Sequence, residues 1–201
     1  MGRKAGVSAE QTREELLAAA ARVFALKGYD GASIADICAE AGLSTGPVYA
    51  HYGSKAELFV AALQTHGLRQ YRRMLGGQVA GDLAEFLTTA GSEFDRRKPG
   101  DAALLVEAIV AAKRDPEVAQ LVSSWLETSE ELTAASIRDA QDAGIIDRSF
   151  GPETLSRFAT MLALGSFLTA ALQLHDVDHD DWERVIQRLI DSARSREGEL
   201  G

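Results

Sequence analysis

The sequence predicts an all-α fold of about nine helices, and three observations carry that expectation. Ala and Leu are abundant while aromatic residues make up only 6% of the chain, a balance that favours helix over sheet. Apolar residues recur at i, i+3, i+4 and i+7 in segment after segment, and nowhere do β-branched residues alternate as in a half-buried strand. Capping residues and Gly/Pro pairs punctuate the text at helix-length intervals. With 201 residues, 46% of them apolar and 25% charged, the chain is long enough for one or two domains with a real core.

The elements follow in order. The first seven or so residues lack periodicity and read as a flexible tail. A first helix runs from Ala9 or Thr12 to Lys27, its start left open by two capping patterns, Ser8-x-x-Gln11 and Thr12-x-x-Glu15. Leu17, Ala20, Ala21 and Phe24 form its stripe, and Gly28 ends it. The second helix begins at Ser33, with Asp36 three residues on and Ile34, Ile37, Cys38 and Ala41 as its stripe. Gly42 stops it. Ser44 starts a short third helix that Gly53 closes, and Ser54-x-x-Glu57 opens a fourth that continues to about Leu75. Beyond it, Gly76-Gly77, Gly81, Lys98-Pro99-Gly100, Asp115-Pro116, Gly144, Gly151-Pro152 and the His175–Asp181 stretch mark breaks. Between them lie five more helical segments, near 82–97, 101–114, 116–143, 153–174 and 181–196.

Several function classes are disfavoured. The single cysteine, Cys38, forms no internal disulfide and suits a reducing cytoplasm; its place on the inner stripe of the second helix makes it a small core residue. The N-terminus has basic residues with no apolar stretch behind them, so no signal peptide is expected. The apolar run Phe158 to Leu174 falls short of the ~20 residues of a membrane span and carries Thr160, Ser166, Thr169 and Gln173, so a buried helix is expected and no membrane partner. In the acidic stretch, Asp176, Asp178 and Asp180 imitate the start of a calcium loop. Asp181, however, stands where Gly is required and Gln187 where a bidentate Glu belongs, so the expectation is no metal and a loop in which Asp180 or Asp181 caps the last helix. No cofactor fingerprint, metal set or nucleophile triad is visible, and an enzyme is not expected.

Net charge is −9, an apparent objection to a nucleic-acid partner. Its distribution removes the objection: residues 1–55 hold six Lys/Arg and six Asp/Glu, so all of the excess lies in the remainder. Within that neutral part, residues 33–52 read as a helix-turn-helix. Ala41-Gly42-Leu43 fits the tight turn, and Ile34, Ile37, Leu43 and Val48 pack the pair of helices together. Thr45, Gly46, Tyr49 and Ala50 then lie on the outer face of the third helix, small enough for it to sink into a major groove. Ser33 and Ser44 sit at helix N-termini that suit phosphate oxygens, and His51, Tyr52 and Lys55 follow as anchors for the DNA backbone.

The string Gly28-Tyr29, Ser33-Ile34-x-Asp36-Ile37-Cys38-x-x-Ala41-Gly42-Leu43-Ser44, Gly46-x-Val48-Tyr49-x-His51-Tyr52-x-Ser54-Lys55-x-Glu57-Leu58 closely resembles the DNA-binding domain of the tetracycline-repressor (TetR/AcrR) family over roughly residues 10–70. The resemblance implies a homodimeric, cytoplasmic transcriptional regulator, a repressor on double-stranded DNA with a roughly palindromic operator. It maps Ser33, Ser44, Thr45, Gly46, Pro47, Tyr49, His51, Tyr52 and Lys55 onto DNA-contacting positions. Two residues depart from the family pattern: Tyr52 stands where Phe is commoner, and Pro47 presents a rigid ring in the first turn of the third helix.

The resemblance further implies that residues 76–201 form a helical domain for effector binding and dimerisation. The eighth segment is apolar nearly all round, and Trp182, Val185, Ile186, Leu189 and Ile190 form one stripe on the ninth, so residues 153–196 are expected to pair in the dimer. Burial within one subunit accounts for the same pattern. A pocket for an unidentified small-molecule effector is expected among the fourth to eighth helices, with Phe86, Phe94, Leu104, Glu107, Trp125, Phe158, Met161 and Phe167 as candidate lining residues. Each has plain core as its alternative, and for Glu107 the alternative is a solvated face or an intrachain salt bridge. A DNA-binding architectural factor without a ligand is the competing function.

Overall fold

The computed structural model describes residues 9–67, 99–174 and 177–193. Among them there are eight α-helices rather than about nine, and no strand. They are α1 (Ala9–Gly31), α2 (Ile34–Ala41), α3 (Thr45–His51), α4 (Lys55–Ala62), α5 (Pro99–Ala112), α6 (Pro116–Asp142), α7 (Pro152–Ala171) and α8 (His179–Ala193); a π-helical turn, Leu63–Gly67, continues α4. The N-terminal tail, the helix expected near 82–97 and the stretch of the fourth helix beyond residue 67 lie outside the described residues.

The chain forms two compact units. The first takes residues up to 69 together with 100–123, so α5 and the start of α6 pack with the N-terminal helices. Leu17, Phe24, Ile37, Val48, Leu58, Phe59, Leu63, Leu104 and Val118 are its fully buried large side chains. At its centre Phe24 and Phe59 meet edge to face at 4.8 Å between ring centroids, with Tyr29 against Phe59 at 5.1 Å. Burying side chains of this size contributes about 1.5–3 kcal/mol each, before the chain entropy that opposes it. Ala19 and Ala20, fully buried on α1, let neighbouring helices approach closely.

Gly28 breaks α1. Its φ of 72° and ψ of 168° belong to a region that essentially only glycine occupies, and one further turn follows to Gly31. The expected end of the first helix is thus a kink, with its last turn redirected.

The second unit takes residues 70–99 and 124–201. Ser129, Thr133, Ala134, Ile137 and Ala140 of α6 are buried, as are Ser156, Ala159, Thr160, Ala163 and Phe167 of α7. Ser156 donates its hydroxyl to the Glu130 carbonyl at 2.8 Å, tying the two helices. Between them the loop is held by Gln141, whose Nε2 donates to the carbonyls of Asp147 (3.0 Å) and Phe150 (2.8 Å) while Ile146 drops against Ile137 and Ala140. The last helix starts earlier than expected: Asp178, not Asp180 or Asp181, caps it, its Oδ1 accepting from the Asp181 N–H at 2.9 Å. Asp181 instead pairs with Arg184 one turn on. Among the described residues no helix is long and apolar enough to cross a membrane.

Candidate nucleic-acid interface

The helix-turn-helix is assembled from local chemistry. Ser33, in extended conformation, caps α2: its Oγ accepts from the Asp36 N–H at 3.1 Å, and Asp36 Oδ2 accepts from the Ser33 N–H at 3.0 Å. Asp36 also pairs with Lys27 of α1 at 2.8 Å. The Lys27 ammonium, with help from both Ser33 donors, holds the Asp36 carboxyl at about 2. Arg22 adds a second tie from α1, to Glu40 at 2.9 Å. Gly42 ends α2 in the left-handed conformation (φ 67°, ψ 29°), and the Leu43 N–H returns to the Cys38 carbonyl at 2.9 Å, turning the chain into α3. Cys38 is buried, and burial pushes its thiol up, as suits a core residue.

Val48 is the buried pin of α3. Around it Ser44, Thr45, Gly46 and His51 are exposed, and Tyr49 is 61% exposed. Nothing lies within 4 Å of where a Gly46 side chain would project, so the N-terminal end of α3 stands clear of the protein. Ser44 caps α3 without a side-chain hydrogen bond to the helix, which leaves its hydroxyl available. Pro47 is the third residue of α3; its side chain lies outside the described ones. These residues form one exposed surface with a small-residue centre and one aromatic hydroxyl.

Two expected anchors are not on that surface. Tyr52 is only 8% exposed, and its hydroxyl is buried with no hydrogen-bond partner among the described residues. Lys55 also turns inward: its ammonium donates to the carbonyls of Tyr29 (2.9 Å) and Ala32 (3.4 Å) and lies 4.3 Å from the centre of the Tyr29 ring. For Lys55 the cause is local: the Tyr29 ring face and two carbonyls of the α1–α2 connection compete with solvent for its ammonium. The expected capping box of α4 forms in half: Ser54 Oγ accepts from Glu57 N–H at 3.1 Å, while Glu57 Oε2 accepts from the N–H of Gly53, one residue before the cap, at 2.7 Å.

The expected effector-lining residues separate. Leu104 and Glu107 belong to the first unit, Trp125, Phe158, Met161 and Phe167 to the second, and Phe86 and Phe94 lie outside the described residues. Leu104 and Phe167 are buried and Trp125 half-buried. Phe158 and Met161, at 46% and 65% exposure, face outward from α7 rather than inward. Glu107 is engaged within the first unit: its Oε1 accepts from the Tyr29 main-chain N–H at 2.6 Å. Tyr29, in turn, donates its hydroxyl to Asp115 Oδ2 at 2.8 Å. Burial, then the Asp115 bond, raises the Tyr29 phenol well above its usual range, and the same bond lowers the Asp115 carboxyl. No sequence signal pairs these residues; only the Gly28-Tyr29 step, which frees a main-chain N–H, hints that a partner is needed.

Residues 16–62 match the family described as bacterial regulatory proteins, tetR family. The HTH-type transcriptional regulator UidR of Escherichia coli is 28% identical over 179 residues, which cover 88% of this chain and 86% of that protein. The HTH-type transcriptional repressor AcnR of Corynebacterium glutamicum is 30% identical over 128 residues, 64% of this chain and 54% of that one. Among solved structures, Salmonella enterica GusR superposes with a TM-score of 0.75 at 23% identity, covering 93% of this chain and 97% of that chain, which shows a shared fold.

Proposed function

Because the chain belongs to the TetR family of bacterial regulatory proteins, we propose that it is a homodimeric, cytoplasmic repressor that binds a roughly palindromic operator and leaves it on binding a small-molecule effector. The observation that carries this reading is the exposed N-terminal face of α3, with Thr45, Gly46 and Tyr49 clear of the protein on a helix pinned by Val48. In the proposed complex this face enters the major groove, Thr45 and Tyr49 read base edges, and Ser44 and His51 hold phosphates, which Ser33 would join only on releasing its hydroxyl from Asp36. Pro47, in the same turn, would contribute its ring to the fit. The even charge of residues 1–55 permits that approach, while the acidic remainder is repelled from DNA.

Dimerisation would use residues 153–196. Phe158, Met161 and Leu168 are exposed at helical spacing along α7, Leu172 just past its end, and Val185 and Leu189 along α8, an apolar area that a second copy would cover. Two reading heads about 34–36 Å apart would then meet successive major grooves, and an effector bound in the second unit, which lacks residues 100–123 of the expected 76–201 domain, would act by shifting that spacing. Within the second unit, Trp125 and Phe167 remain the proposed candidates for its pocket.

The test is selection of bound fragments from genomic DNA, with Tyr49→Ala as control. Enrichment of a two-fold-related site by the full chain, lost in the Tyr49→Ala protein, supports the reading. Site preference retained without the Tyr49 side chain would overturn the assignment of α3 as the reading helix.

A further inference from the structure

We propose that Glu107 and Asp115, which lie away from the exposed face of α3, are positioning residues for DNA binding and act by holding Tyr29. The inference rests on the DNA-binding reading above. Its starting point is the kink at Gly28, whose φ of 72° and ψ of 168° take the following N–H out of the α1 ladder. Tyr29 is buried, and a buried main-chain donor must find an acceptor. The acceptor comes from 78 residues away, on α5: Glu107 Oε1 at 2.6 Å.

The same residue is gripped at its other end. The Tyr29 hydroxyl donates to Asp115 Oδ2, while Asp115 Oδ1 accepts from the N–H groups of Glu117 (2.9 Å) and Val118 (3.3 Å) at the start of α6. Asp115 therefore ties Tyr29 to a helix terminus that is itself fixed. Two further bonds reinforce the elbow between α5 and α6: Arg114 to Asp30 at 3.1 Å and Ser54 to Glu117 at 2.6 Å. On the near side Lys55 binds the carbonyls of Tyr29 and Ala32, the latter immediately preceding the Ser33 cap of α2. A shift of Tyr29 is thus handed through a short, doubly held connection to the capping box, and from there to α2 and α3.

The sign of the effect makes the idea testable. Glu107 is acidic, so electrostatics alone predicts that removing it strengthens DNA binding. A positioning role predicts the opposite. The experiment uses the full chain and a duplex carrying the selected operator, with affinity followed by fluorescence anisotropy over a range of KCl. Thermal melts establish that each variant is folded at the assay temperature.

Glu107→Gln keeps an oxygen to accept from the Tyr29 N–H and should bind within about threefold of the parent. Glu107→Ala should bind about tenfold or more weakly, with the salt slope unchanged because no phosphate contact is lost. Tyr29→Phe keeps the ring against Phe24 and Phe59 and removes only the Asp115 bond. It provides the reading if Glu107→Ala does not fold, and should weaken binding about threefold, again with the parental slope. Parental or tighter binding by Glu107→Ala, equal weakening by the Gln and Ala variants, or parental binding by Tyr29→Phe would each overturn the proposal. Failure of the parent protein itself to bind any selected duplex would instead sink the DNA-binding reading, and this inference with it.

Discussion

The Lys55 ammonium lies 4.3 Å from the centre of the Tyr29 ring and donates to the Tyr29 carbonyl at 2.9 Å. The one Lys or Arg side chain between residues 28 and 67 is thereby engaged by the protein's own backbone. Its position in the sequence, one residue past a helix cap, suits a phosphate contact, but the geometry makes it a brace for the connection between α1 and α2.

Replacing that ammonium separates the two roles. Lys55→Met keeps most of the stem and should cost about 1–3 kcal/mol of stability, from lost charge-assisted hydrogen bonds and the cation–π contact. Urea unfolding measures the loss. The dependence of operator affinity on salt should keep its slope, whereas loss of a phosphate contact would lower the slope by about 0.9. A lowered slope with unchanged stability would return Lys55 to the DNA.

Tyr52 carries a hydroxyl in a site with no partner among the described residues. Burying such a group without a hydrogen bond costs about 1–3 kcal/mol, so Tyr52→Phe should stabilise the protein by about 1 kcal/mol and leave operator binding intact. A lower melting temperature would show that the hydroxyl is satisfied and useful.

Gly28 should tolerate no side chain. A Cβ there would sit 3.2 Å from Glu107 Oε1, and the backbone conformation is itself unfavourable for an L residue. Gly28→Ala is expected to destabilise by about 1–3 kcal/mol. Adding Glu107→Ala should not restore stability, since the backbone strain persists. Full rescue by the second substitution would mean that the crowding, not the dihedral, sets the cost.

Acid should loosen the cap of α2. The Asp36 carboxyl is lowered from 3.8 to about 2 by Lys27 and Ser33. A depressed folded value means that its stabilisation is fully present above about pH 4 and is lost as pH falls through about 2. The stability gap between the parent and Asp36→Ala should therefore be constant near neutrality and close across that window. A gap independent of pH down to 2 would contradict the assignment.

Met161 tests the proposed dimer. Met161→Glu places a charge in the exposed apolar stripe of α7, and sedimentation should show a shift from dimer to monomer. An unshifted dimer would move the interface elsewhere.

What could be read in advance follows the range of the interactions. The caps at Ser33 and Ser54, the left-handed Gly42 and the buried Val48 beside an exposed Tyr49 all depend on residues within a few positions of one another. So does the break at Gly28, although its redirected last turn was not legible. The inward turn of Lys55, the outward face of Phe158 and Met161 and the role of Glu107 depend on what the fold brings opposite them. Glu107 illustrates the limit: on an apolar helix it reads as a candidate pocket residue or a solvated face, and the main-chain donor it binds lies 78 positions away.

By itself, then, the sequence determined the all-α class, the helix boundaries near their caps and the composition of the α3 face. Helical periodicity and capping are short-range physics, written in adjacent residues. Only the tertiary structure decided that residues 100–123 join the N-terminal unit and that Tyr29 is held by Glu107, Asp115 and Lys55. The reason is that a buried donor, carbonyl or charge takes whichever complementary group packing places beside it, and sequence spacing does not encode that choice.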